Sequence, residues 1–308
     1  MSVAPSGLLF FPITPFNPDQ SINFRALEQH LEHGISYSPG GVFVACGAGE
    51  FHTLSENEVQ QIAKVTVDVI GNRAPIYLGV GGSIQTAKNI SRYAKDAGIS
   101  GLLVFPPYMV SPSPEGLKRY FYELAEATDI PLIAYNRPGS ILNQDLVLDL
   151  LEIENLVGIK DGLGEMNKVA EMIATTREWE LKNQTSKELS FMNGTPTAEI
   201  SAQKFRDLGV MTYSSAVLSF APEISVAFYQ SLVEHNDDKT NLLLENFYGP
   251  LAELRDEVEG GAISIIKAGN RILGKDYGGV RAPFLDFNGD QMIRLNTLIR
   301  SGLEMVKS

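Results

Sequence analysis

The chain has 308 residues, enough for one large α/β barrel or two ordinary domains. Its composition, 44% hydrophobic and 20% charged, is that of a globular protein without low-complexity segments. A net charge of -12 argues against nucleic acid or an anionic membrane as partner, and the single cysteine, Cys46, excludes a disulfide framework and a cysteine-based zinc site.

Acidic small molecules stay open, because local charge can oppose the global sign. The histidines, His30, His33, His52 and His235, have no HExxH-type spacing, so neither a metal nor another cofactor is expected. The first apolar run, within MSVAPSGLLFFPITPF, is too short for a membrane span and no basic segment precedes it. A cytoplasmic protein is expected.

In chain order, short apolar runs alternate with helical patterns. Strands are expected at LLFFPI from Leu8, GVFVA from Gly41, PIYLGV from Pro75, GLLVF from Gly101, PLIAY from Pro131, LVGIK from Leu156, ELSFM from Glu188 and VMTYS from Val210. These starts are about 22 to 34 residues apart, the length of a strand–loop–helix–loop unit. The runs are apolar throughout rather than alternating, as in parallel strands covered on both faces. Between them, Phe24, Leu27, Leu31 and Ile35 share a helical face, and Ser55 with Glu58 has the form of a capping box. Ser113-Pro114 provides a cap and a first-turn proline for a helix expected to reach Thr128, while the glycines of DAGISG and DLGV close other units.

Eight βα units predict an α/β fold, a (β/α)8 TIM barrel over residues 1–225. Residues 226–308 read as a C-terminal helical extension packed on it. The alternative is a doubly wound open sheet, but no GxGxxG follows the first strand. The glycine-rich GVGGS at Gly79–Ser83 is a weak phosphate signal by itself.

In such a barrel, chemistry gathers at the C-terminal ends of the strands. The sixth run ends in Lys160-Asp161-Gly162, a hydrated cation at the tip of an apolar strand. Desolvation there disfavours an ammonium, and a neutral amine attacks ketones to form a Schiff base. The plainer alternative is a lysine that snorkels or pairs with Asp161. Tyr135 ends the neighbouring strand, where a phenol can relay protons or simply cap the core. Gly47, Ala48 and Gly49 form a small-residue loop whose N–H groups can bind a carboxylate, or a plain tight turn. Arg137 offers a fork for a second carboxylate or for a surface ion pair. Ser214 and Ser215 can hydrogen-bond a hydroxylated substrate or be ordinary strand-end polarity. Cys46 reads as a buried filler, and Lys267, in AISIIKAG, as structural.

Three of these motifs, GxGE after strand two, YN after strand five and GIKD at strand six, resemble the dihydrodipicolinate synthase and N-acetylneuraminate lyase superfamily along essentially the whole chain. Four stretches look closest to its 5-dehydro-4-deoxyglucarate dehydratases: Tyr135–Pro138, Gly194–Glu199, Thr212–Val217 and Gly279–Pro283. The resemblance implies that Lys160 forms the Schiff base and Tyr135 relays protons. It implies that Gly47–Gly49 bind the α-keto acid carboxylate and that Gly194 belongs to the same substrate site. It also implies that Tyr108 reaches a neighbouring subunit's site, in a homodimer or homotetramer. Related synthases carry hydroxyl residues where this chain has Gly47 and Ala48, so carboxylate binding here would rest on backbone N–H groups. They also carry arginine near the position of Ser140.

The activity implied is dehydration and decarboxylation of a keto-deoxy sugar diacid, 5-dehydro-4-deoxy-D-glucarate, to 2,5-dioxopentanoate in glucarate and galactarate breakdown. A pyruvate-dependent aldolase or synthase, or a non-catalytic barrel that binds sugar acids, are the alternatives.

Overall fold

The structure is a computed structural model that describes residues 4–107, 110–185 and 187–307. Its strands are β1 (Leu8–Phe10), β2 (Val42–Val44), β3 (Ile76–Val80), β4 (Gly101–Val104), β5 (Leu132–Asn136), β6 (Leu156–Asp161), β7 (Ser190–Asn193) and β8 (Tyr213–Ser215). All pair in parallel in chain order, and β8 returns to β1 to close the barrel. Each coincides within a few residues with an apolar run of the sequence.

Two hydrophobic layers explain why those runs do not alternate. Leu9, Phe11, Phe43, Tyr77, Leu103, Ile133 and Met192 fill the barrel interior. Their neighbours Leu8, Phe10, Val42, Val44, Leu102 and Leu132 belong to the larger core under the helices. Successive side chains point to opposite faces of a strand, and here both faces are dry. Inside, Phe11 stacks on Phe43 and Phe43 on Tyr77, each pair with ring centroids 4.6 Å apart.

Around the barrel run α1 (Phe24–Ile35), α2 (Glu56–Ile70), α3 (Ile84–Asp96), α4 (Pro114–Ala125), α5 (Gln144–Leu151), α6 (Met166–Asn183), α7 (Ala202–Asp207) and α8 (Pro222–Val233). The capping box at α2 forms as the sequence predicts: Glu58 N–H donates to Ser55 Oγ, and Ser55 N–H donates to the Glu58 carboxylate. Ser113 and Pro114 start α4, which ends at Ala125 rather than Thr128. There the Thr128 hydroxyl accepts from Ile130 N–H, a local turn that competes with a further helical turn. Ser83, the last residue of GVGGS, caps α3 by accepting from Thr86 N–H.

Helix α8 is continuous through residue 225, where the sequence suggests the boundary between barrel and extension. Beyond it lie α9 (Asp237–Leu243), a wide turn (Leu244–Tyr248), α10 (Gly249–Asp256), α11 (Gly261–Ile272) and α12 (Gly289–Met305). This extension covers part of the catalytic end of the barrel. Asn270 Nδ2 donates to Ser219 O, and Phe16 N–H donates to Tyr277 O. No described helix is long and apolar enough to cross a membrane.

Candidate active site

Register assembles the centre of the site. In the β5–β6 pair Tyr135 lies opposite Lys160, and Asn136 opposite Asp161. Because faces alternate, the first pair turns into the barrel mouth and the second away from it. Asp161 is therefore not the partner of Lys160. Its carboxylate accepts from Asn136 Nδ2 at 2.7 Å and from Gly164 N–H at 2.8 Å. Burial is the main influence on this carboxyl and pushes its pKa up, against those hydrogen bonds. Asn136 also accepts from Leu142 N–H, so the outward pair braces the loops after β5 and β6.

Lys160 is 4% exposed. Its Nζ lies 4.0 Å from the Tyr135 ring centroid and 5.3 Å from that of Phe11. Nζ donates to Gly194 O at 3.3 Å, and the Tyr135 hydroxyl donates to the same oxygen at 3.2 Å. One carbonyl thus gathers an amine and a phenol, a nucleophile and a proton carrier. Gly194 is glycine for a steric reason: a Cβ there would sit 2.6 Å from Lys160 Cγ and 2.8 Å from Cε.

The Gly47–Gly49 loop lies between two non-glycine residues in the left-handed region, Ala45 at φ 46° and Glu50 at φ 60°. Such a backbone persists only where its surroundings hold it. Thr14 Oγ1 donates to Gly49 O at 2.7 Å. Glu50, fully buried, lies 2.6 Å from Lys267 Nζ of α11, an ion-pair contact rather than a well-directed hydrogen bond, and accepts from Arg281 N–H at 2.9 Å. Desolvation lowers the Lys267 pKa, opposed by Glu50, and Nζ also donates to Gly279 O. Among the described residues, the N–H groups of Gly47, Ala48 and Gly49 donate to no protein acceptor. Gly47 has open space where a Cβ would stand. Cys46 is wholly buried and burial pushes its thiol up, so it remains a protonated filler.

Two hollows lie beside this group of residues, neither of them lined by Lys160 itself. A cleft of about 410 Å³ is lined by Gly47, Phe51, His52, Arg137 and Phe284. The Arg137 guanidinium stacks at 5.6 Å over the Tyr135 ring there. On the other side a cavity of about 130 Å³ is lined by Phe11, Ala48, Thr195, Ser214 and Arg255. Ser215 borders this cavity, but its hydroxyl donates to Glu199 at 2.5 Å and accepts from Leu218 N–H and Ser225 Oγ. Tyr108 lies outside the described residues.

Arg255, Glu199 and the ion pair of Glu50 had no assigned part in the sequence. Glu199 stood inside the quoted stretch Gly194–Glu199, without a role. Arg255 gave no signal, because ELRDE reads as an ordinary solvated helix.

Residues 4–301 match the model of the dihydrodipicolinate synthetase family. A probable 5-dehydro-4-deoxyglucarate dehydratase of Streptomyces coelicolor is 38% identical over 303 residues, covering 98% of this chain and 95% of the relative. A protein of the same description from Bacillus subtilis is 35% identical, covering 91% and 88%. Among solved structures, dihydrodipicolinate synthase from Oceanobacillus iheyensis superposes with a TM-score of 0.87 at 24% identity, covering 96% of both chains. A family match over nearly its full length, relatives 35% and 38% identical and a barrel closed in chain order agree: the chain belongs to the dihydrodipicolinate synthetase family.

Proposed function

We propose that this protein is a Schiff-base lyase that converts 5-dehydro-4-deoxy-D-glucarate to 2,5-dioxopentanoate, water and carbon dioxide. The observation that carries the reading is the convergence of Lys160 Nζ, on a side chain 4% exposed, and the Tyr135 hydroxyl on Gly194 O. The relatives described as dehydratases of this substrate support its choice over other keto acids.

In this reading the Lys160 amine attacks the ketone. Tyr135 carries the proton to the departing hydroxyl of the carbinolamine, and water leaves to give the iminium. The iminium withdraws electrons from the adjacent CH2. Loss of a proton there expels the next hydroxyl as a second water. The dehydration needs no electron sink other than the iminium. The distal carboxylate then leaves as carbon dioxide, its bonding electrons passing through the new double bond into the iminium. The resulting enol–enamine takes a proton on carbon, and its enol becomes the aldehyde. Hydrolysis consumes one water and frees Lys160. The α-keto carboxylate rests on the free N–H groups of Gly47–Gly49, Ser214 meets a substrate hydroxyl, and Arg137, lining the wide cleft, offers a second cationic fork for the substrate. A homodimer or homotetramer remains part of the proposal, supported by the exposed Val110 and Ile141 near the mouth.

The test is mass spectrometry after borohydride reduction with this diacid, on wild type and Lys160→Ala, with headspace carbon dioxide measured in parallel. An adduct that vanishes in the variant, together with carbon dioxide, is expected. Pyruvate release would move the activity to an aldolase. Tight binding with neither adduct nor turnover would make the barrel a binding protein.

A further inference from the structure

A six-carbon diacid held on Lys160 leaves a second carboxylate to be placed. We infer that Arg255, delivered by α10 of the C-terminal extension, binds this distal carboxylate and selects diacids over monoacids. The inference rests on the function proposed above and adds a specificity-determining residue to it.

The 130 Å³ cavity has one charged side chain in its lining, Arg255. Its walls are otherwise apolar, from Phe11, Phe220, Leu251 and Ile265, with hydroxyls from Thr195, Thr197 and Ser214. No carboxylate lines it. A cation in a mostly apolar hollow attracts an anion more strongly than one in water. The Arg255 side chain is 13% exposed, whereas Asp256, its acidic neighbour, is 69% exposed. The pair thus turns its negative member to solvent and its positive member to the cavity.

Donor arithmetic leaves room for a ligand. Arginine has five N–H donors. Nε and one N–H of Nη2 go to Asp256, and one N–H of Nη1 goes to the Thr197 hydroxyl. Among the described residues, one N–H on each terminal nitrogen has no acceptor, which leaves donors for a carboxylate. Reach also agrees. Gly194 O lies 3.3 Å from Lys160 Nζ, and Thr197 follows Gly194 by three residues. Three residues span at most about 10 Å, and four C–C bonds from imine carbon to distal carboxyl span roughly 5 Å. Thr197 itself sits at φ 49°, costly for a β-branched residue, and Arg255 holds it there. Arg137 is the competing cation, but it faces the wider cleft and is engaged over Tyr135.

The decisive experiment is calorimetric titration of the full chain with 2-oxoadipate, which matches the substrate's length but has no hydroxyl to lose, and with 2-oxohexanoate, which lacks the second carboxylate. Wild type is expected to prefer the diacid by about 10-fold or more, the worth of a charged hydrogen-bonded contact. Arg255→Met should abolish that preference while monoacid affinity stays within about 3-fold. Arg255→Gln keeps a donor for Thr197 without the charge and should behave the same, which separates binding from loop support. No preference in wild type, equal weakening of both acids in Arg255→Gln, or loss of the preference in Arg137→Met instead would overturn the inference. Borohydride trapping with each acid reads Lys160 separately. Absent adducts would remove the Schiff-base reading, while the affinity ratio would still decide on Arg255.

Discussion

Each chemistry-bearing dipeptide divides its labour by strand alternation. Tyr135 and Lys160 face the barrel mouth, and Asn136 and Asp161 tie down the loops behind them. The inward pair was readable because an apolar run that ends in a lysine conflicts with simple burial. The same alternation separates the two serines of β8: Ser214 borders the cavity, and the Ser215 hydroxyl donates to Glu199. Gly194 gives the sharpest test at this level. Gly194→Ala would press its methyl group into the Lys160 side chain and move the amine from its shared carbonyl. Misplacement by about 1 Å costs on the order of 10²-fold in rate. Turnover should fall by about that factor, and the melting temperature should fall as well, because Cγ near the backbone must move along with the end of the chain. An unchanged kcat would mean that the Lys160 position is not set by Gly194. Arg255 could not be read at all, since its placement depends on how an extension 95 residues beyond Lys160 folds back (255 − 160).

Among the secondary-structure elements, the extension holds the β2 loop in its strained form. Lys267 of α11 pairs with Glu50, and Arg281 donates to Glu50, to the Glu58 carboxylate and to the carbonyls of Thr53 and Gln20. The stretch Gly279–Pro283, noticed only for its resemblance, is thus a strap across α2 and the loop before it. Strands and caps were readable because their causes are local. The strap was not, because the partners of Arg281, namely Gln20, Glu50, Thr53 and Glu58, are all more than 200 residues away, and Lys267 read as structural without the reason. Lys267→Met should leave Glu50 buried without its counter-charge and cost about 3–5 kcal/mol. The loop should also loosen and raise KM. Adding Glu50→Gln to Lys267→Met should recover much of the stability, since an unpaired buried charge costs more than a neutral pair. Thermal melts of the two single variants and the double variant measure this directly. Simple additivity would mean that the two residues do not act as a pair.

Across the whole molecule, stability should carry the signature of one buried acid. Glu199 lies where barrel and extension meet, bonded to Ser215 of β8 and electrostatically coupled to Tyr213 and to Tyr248 of the extension. Burial pushes its carboxyl up to about 7, from an ordinary 4.5. Between those values the folded protein binds a proton that the unfolded chain has lost. Stability from this group therefore falls as pH rises from 4.5 to about 7, and the full penalty persists above. His30 acts in the opposite sense at lower pH. Burial lowers it from 6.5 to about 3, so the unfolded chain takes up a proton first and acid destabilises the fold. The two windows overlap, and a pH profile of the wild type alone would blur them. The difference between wild type and Glu199→Gln removes the His30 contribution, because both proteins share it. Glutamine keeps an acceptor for Ser215 and cannot ionise. The variant should match wild type near pH 4.5 and gain on it steadily, reaching roughly 3 kcal/mol above pH 7. Urea unfolding of both proteins at pH 5, 6, 7 and 8 measures the gap. A gap that does not widen with pH would mean that Glu199 is ionised in the folded protein throughout, held by a counter-charge the seam does not otherwise reveal.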